Sequence, residues 1–167
     1  MKRTRAPSSS RPDGHGVRVV VLRTAFNARI VDGLLAGARE ALLAMGVAEK
    51  DITTVEVPGA FELPLAARAA AHSGRFDAVV ALGAVIRGET DHYDHIAREA
   101  AAGLATVARE TGTPVGFGVL TVKKEKQASS RSRKGAGNKG GEAARAAVAM
   151  VHVVRSLRGG RPGPSGA

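Results

Sequence analysis

The sequence predicts an α/β fold in three layers, α/β/α, built around four parallel strands. Three observations carry this. Short β-branched runs alternate with longer segments of helical apolar spacing, glycine or proline marks most junctions, and residues 78–82 are apolar without interruption, as in a strand covered on both faces.

Residues 18–22 form the first strand through their valine run, which ends at Arg23-Thr24. Asn27 suits the N-cap of a helix in which Ile30, Val31, Leu34, Leu35, Ala38, Leu42 and Leu43 recur at helical spacing, and Gly46 stops it. Residues 52–57 read as the second strand, broken at Pro58-Gly59. Residues 61–72 are alanine-rich and helical, with Pro64 tolerable only in the first turn, and Gly74 closes them. The third strand leads into the polar loop Arg87-Gly88-Glu89-Thr90 and a helix over about 91–110. Gly112 and Pro114 precede a fourth strand, 115–120; a basic stretch and a flexible glycine-rich turn at 135–141 then enter a last helix, 142–157. Such strand–helix units imply right-handed crossovers.

The length of 167 residues suits one domain. Residues 1–16 read as a disordered basic arm, 17–157 as the folded domain, and 158–167 as a flexible Gly/Pro/Arg tail. Zero cysteine excludes thiol nucleophiles, cysteine-bound zinc and iron–sulfur clusters. The longest apolar runs, 17–22 and 77–86, fall far short of the ~20 residues that cross a bilayer. No secretory apolar core follows the basic start, and a cytoplasmic setting fits best. The net charge of +10 is unevenly placed. Residues 1–16, 123–139 and 155–167 contribute +3, +6 and +3, which leaves −2 for the rest. Basic segments of this kind are usually solvated, and non-specific nucleic-acid contact stays open. With 3% aromatic residues and no recognisable nucleic-acid motif, sequence-specific reading is not expected.

In open parallel sheets, ligands collect beyond the carboxyl ends of the strands. Gly88-Glu89-Thr90 lies at such an end before a helix, so its N–H groups can converge on a phosphate or carboxylate; Thr90 or Asp91 can equally be a simple cap. His92 suits acid–base work, because the positive end of a helix favours a neutral imidazole. His92 and His95 with Asp91 and Asp94 lack a wider ligand set, so no metal is assigned and His95 reads as a surface residue. Phe26 and Phe61 stand at strand ends, where a ring can stack on a flat heterocycle, and Glu62 offers a carboxylate beside it. Phe117, inside the last strand, is equally suited to filling the core. The string Gly135-Ala136-Gly137-Asn138-Lys139-Gly140 matches G-x-G-x-x-G, but the charged residues before it cannot be the buried strand that a dinucleotide fingerprint follows.

Five ordered motifs resemble one family. They are Phe26-Asn27 with residues 34–38, Val57-Pro58-Gly59-Ala60-Phe61-Glu62-Leu63-Pro64, residues 83–94 from Gly83 to Asp94, Phe117-Gly118-Val119-Leu120-Thr121, and residues 137–144 beginning Gly137-Asn138-Lys139. Over about residues 17–157 the chain is similar to the 6,7-dimethyl-8-ribityllumazine synthases of riboflavin biosynthesis. The resemblance implies a flavodoxin-like sheet, extended by an N-terminal strand from a neighbouring subunit. It implies a transferase that condenses 5-amino-6-(ribitylamino)uracil with 3,4-dihydroxy-2-butanone 4-phosphate, without metal or redox cofactor. Carried over residue by residue, Phe26, Phe61, Ala60 and the Val85-Ile86 backbone would hold the pyrimidine, and Asn27 and Glu62 the ribityl chain. His92 would move protons, while Gly88, Glu89, Thr90 and Arg131 would bind phosphate. Phe117, Arg131 and Lys139 would come from an adjacent subunit, since the family's pockets lie at subunit interfaces of pentamers, some of them assembled into 60-subunit icosahedral shells. The absence of an insertion between Arg131 and Lys139 favours the shell. One segment departs from the pattern: Lys126 replaces the usual acid before Gln127-Ala128, and Arg133 competes with Arg131 for the phosphate role. The altered charge also puts helix capping and subunit packing there in doubt. The alternative reading is a shell-forming paralogue with diminished catalysis and a polyanion-binding basic surface.

Overall fold

The computed structural model describes residues 11–159. Four strands, β1 (Val19–Thr24), β2 (Ile52–Val57), β3 (Ala78–Ile86) and β4 (Val115–Val122), form one parallel sheet in the order β2-β1-β3-β4. The helices are α1 (Ala28–Ala44), α2 (Leu63–His72), α3 (His92–Thr111), α4 (Glu125–Ser132) and α5 (Lys139–Leu157), with short 3-10 turns at Glu49–Asp51 and Ala60–Glu62. Alternation along β1 and β3 sorts the core into two layers. Val19, Val21, Val80 and Leu82 pack with Leu34, Leu42, Ala144 and Val148 of α1 and α5. Val20, Leu22, Val79 and Ala81 pack with Leu63, Ala67 and Leu104 of α2 and α3.

The expected three-layer sheet is therefore present, with several corrections of extent. β3 continues to Ile86, because its last residues pair in register with Val119 to Val122 of β4. The basic stretch is not simply a loop: residues 125–132 form α4. Its first turn is closed by Gln127, whose Oε1 accepts from the Lys123 and Lys124 N–H groups at 3.0 Å while its own N–H donates to the Lys124 carbonyl. The cap comes from Gln127, which keeps its usual place, so the replacement by Lys126 beside it leaves the helix capped. α5 starts at Lys139, three residues early, and Gly140 and Gly141 are buried helical residues, not part of a flexible turn. The N-terminal arm also ends sooner than residue 16. Gly14 is buried, its N–H donates to the Met45 carbonyl at 2.8 Å, and the Asp13 carbonyl meets His152 Nε2. The expectations for residues 1–10 and 160–167 lie outside the described residues. No described helix is long and apolar enough to cross a membrane.

Asn138 is 3% exposed and joins three helices. Its Nδ2 donates to the carbonyls of Gly33, Ser132 and Arg133 at 3.0–3.1 Å, and its Oδ1 caps α5 by accepting from Gly141 N–H at 3.1 Å. Asn138→Leu should cost about 3 kcal/mol, since it leaves several buried backbone groups without partners. Chemical denaturation of the variant measures this.

At the opposite end of the sheet, Asp77 accepts from Arg18 N–H at 2.8 Å and from Arg18 Nε and Nη2 at 3.2 Å, and it lies 3.4 Å from Arg155 Nη2. Burial pushes the carboxyl up, but the hydrogen bonds and charge of Arg18, aided by Arg155, outweigh it and hold the group below the ordinary 3.8. A depressed folded value means stability that is complete above the unfolded value and lost as pH falls through the folded one. Asp77→Asn is therefore expected to be less stable than the parent at neutral pH, with the gap closing as the pH drops below 3.8. Denaturation midpoints across that range test it; a constant gap would show that the carboxylate's charge is irrelevant.

Candidate active site

Beyond the carboxyl ends of β1, β2 and β3 lies a cavity of about 490 Å³. Its walls bring together Phe26, Asn27, Ala60, Phe61, Glu62, Val85, Ile86 and His92, eight of the residues singled out from the sequence.

The turn after β1 shows how they are placed. Asn27 has φ 55°, the left-handed region that asparagine tolerates better than most residues, and is the one non-glycine residue with positive φ among those described. It occupies the N-cap position of α1, but its side chain makes no cap hydrogen bond. Its Nδ2 instead donates to the Ala84 carbonyl at 2.8 Å, while its own carbonyl accepts from Ile30 and Val31 N–H. This ties the β1–α1 turn to β3 and holds Phe26, 71% exposed, at the cavity mouth. Phe61, 58% exposed, stands in the turn between β2 and α2. Two exposed rings at one mouth offer flat apolar surfaces. Between them, Gly59 leaves room that a side chain would fill: a Cβ there would lie 3.2 Å from Glu62 Oε2 and 3.5 Å from the Phe26 ring.

His92 opens α3 and is exposed at the cavity wall. Its N–H reaches Thr90 Oγ1 at 3.4 Å, a long contact, and Asp91 at the N-cap position makes no side-chain cap bond. Gly88, Glu89 and Thr90 are exposed in the loop that joins β3 to His92. His95 is exposed, and among the described residues no three His, Asp or Glu side chains gather as a metal site would require.

Six of the expected residues do not line this cavity: Gly88, Glu89 and Thr90, in the loop before His92, and Phe117, Arg131 and Lys139. Phe117 is 48% exposed on edge strand β4, opposite Ala81, so it does not fill the core. Arg131 extends from α4 and its Nη1 donates to the Gln127 carbonyl at 2.9 Å. Lys139 begins α5, with Nζ 2.7 Å from Glu142 Oε2. Thr24, Gly59, Ala84 and Ile96 also line the cavity. Gly59 and Ala84 lie inside the motifs quoted above and Thr24 at the end of the first strand, whereas Ile96, one helical turn after His92, was not singled out. Thr24 is buried beside Gly83, its hydroxyl without a hydrogen-bond partner among the described residues.

A parallel sheet of this strand order, with a cavity at its carboxyl edge holding two exposed rings, one carboxylate and one imidazole, defines an α/β protein of flavodoxin-like topology with a small-molecule site. A model of the 6,7-dimethyl-8-ribityllumazine synthase family matches residues 16–155. The chain is 47% identical over 128 residues to proteins named 6,7-dimethyl-8-ribityllumazine synthase from Nitratidesulfovibrio vulgaris strains DP4 and Hildenborough, an alignment covering 77% of this chain and 82% of each relative. The chain belongs to the 6,7-dimethyl-8-ribityllumazine synthase family.

Proposed function

We infer that the protein is a transferase of riboflavin biosynthesis that condenses 5-amino-6-(ribitylamino)uracil with 3,4-dihydroxy-2-butanone 4-phosphate. The observation that carries this is the convergence of Phe26, Phe61, Glu62 and His92 from three strand ends on one cavity in a chain of this family. Phe26 and Phe61 sandwich the pyrimidine, with Ala60 and the Val85-Ile86 backbone along its edge, and Glu62 and Asn27 accept or donate to the ribityl hydroxyls. The amine adds to the ketone and water leaves to give an imine, phosphate is eliminated and the resulting enol becomes a carbonyl, and the second nitrogen adds to that carbonyl with loss of a second water to close the ring. His92 moves protons in the imine and elimination steps. Gly88, Glu89 and Thr90 present backbone N–H groups to the phosphate. Most of the rate enhancement comes from holding two substrates in reacting geometry.

Phe117, Arg131 and Lys139 serve the cavity of a neighbouring copy in a homopentamer, whether or not pentamers close into a shell, in a cytoplasmic setting. Their distance from their own chain's cavity supports a shared site. The scaffold alternative is not favoured, because a shell has no physical need for an imidazole, a carboxylate and two exposed rings around one cavity.

The test is a metal-free assay with both substrates, following the lumazine product by absorbance and phosphate release in parallel. Product and phosphate should appear together; no product from the folded protein would overturn the reading. Arg131→Ala should mainly raise KM for the phosphate substrate. Co-expressed with His92→Ala in equal amounts, it should regain about one quarter of native sites, since a shared site needs one intact contributor from each side. Absence of complementation would place Arg131 in its own chain's site or outside it.

A further inference from the structure

A second cavity, of about 540 Å³, lies between α1 and α4. Arg29, Lys126 and Arg133 line it against a single carboxylate, Glu125, with Ser129 adding a hydroxyl. Several basic side chains elsewhere on the fold are matched, Arg18 with Asp77, Arg23 with Asp32, Arg39 with Glu49, Arg87 with Asp94 and Lys139 with Glu142, while others, Lys50, Arg98 and Arg109 among them, have no ion pair among the described residues. The side chains of Arg29, Lys126 and Arg133 have neither ion pair nor hydrogen bond among the described residues. Three unmatched cations facing one concave space repel one another and raise the local concentration of anions.

The walls are also held in place. Asn138 bonds the carbonyls of Gly33 on α1 and of Ser132 and Arg133 at the end of α4, and a Cβ at Gly33 would collide with Ser132, so the two backbones are in direct contact. Lys126, Ser129 and Arg133 follow one stripe of α4 and its end, at intervals of three and four, while Arg131 lies on another side with its guanidinium on the Gln127 carbonyl. The cavity is therefore separate from the candidate phosphate-binding group.

We propose that the α1–α4 cavity binds an oligophosphate, a chain of two or more linked phosphates, through Arg29, Lys126 and Arg133. A single phosphate engages one or two cations, whereas linked phosphates span all three and carry the charge to neutralise them. The volume admits such a chain. The proposal does not depend on the synthase activity.

The experiment is calorimetric titration of the full-length protein with tripolyphosphate and with orthophosphate at two salt concentrations. Tripolyphosphate should bind at least about tenfold more tightly, with affinity falling as salt rises. The double variant Arg29→Ala/Lys126→Ala should weaken tripolyphosphate about tenfold or more while synthase turnover is unchanged, and Arg131→Ala should leave tripolyphosphate binding as it was. Equal affinity for the two anions, binding that survives the double variant, or binding lost with Arg131→Ala would each overturn the proposal. So would joint loss of turnover and tripolyphosphate binding in the double variant, which would merge this cavity with the active site.

Discussion

His92→Ala is expected to lower kcat by about 10²-fold, and by no more than about 10⁴-fold, with little change in affinity for the pyrimidine. The imidazole sits at the first residue of α3 on the cavity wall, whereas both exposed rings and the Glu62 carboxylate come from other elements and stay in place when it is removed. Binding of the flat substrate should therefore survive and proton transfer should not. Steady-state kinetics with each substrate varied in turn separates these effects. A large rise in KM for the pyrimidine with kcat unchanged would make His92 a binding residue and shift proton transfer to solvent or another group. Residual activity well above background is expected in any case, because orientation of the two substrates does not pass through this side chain.

Gly140→Ala should destabilise the protein by about 3 kcal/mol, at the upper end of ordinary overpacking. On intrinsic helix propensity alone the same change would stabilise by about 1 kcal/mol, so the two arguments differ in sign. The structure decides between them. Gly140 lies in the first turn of α5, fully covered by α1, and a Cβ there would overlap the Leu34 carbonyl oxygen, which is backbone and cannot rotate away. The same junction excludes a side chain at Gly37, where a Cβ would overlap the Asn138 amide. For a domain of this size the melting temperature should fall by roughly 10 °C. Gly137→Ala is the control, since a Cβ there meets nothing within 4 Å. A variant at Gly140 as stable as the parent would mean that α5 can shift outward from α1 at no cost.

Much of this was legible in the chain. The three-layer fold follows from periodicity, because a valine run at 19–21 and an unbroken apolar run at 78–82 can be buried only as strands between two helical layers. The strand ends marked the cavity, because the carboxyl edge of a parallel sheet is where loops and helix starts meet. What failed was local. The charged residues 123–134 carry too little apolar pattern to announce α4, which is held by Gln127 capping and by Asn138 from outside the segment. Asn27 was legible as a helix start but not as the bolt to Ala84, a contact across 57 positions of chain.

The sequence by itself determined the strands, most of the helices, the family, and which side chains gather at the cavity, since those depend on short-range pattern and on motifs read in order. Only the tertiary structure decided that Gly140 is a packing contact, that Asn138 joins three helices, and that Arg131 and Lys139 do not line their own chain's cavity. Those facts depend on distances between segments remote in the chain, which no local periodicity encodes.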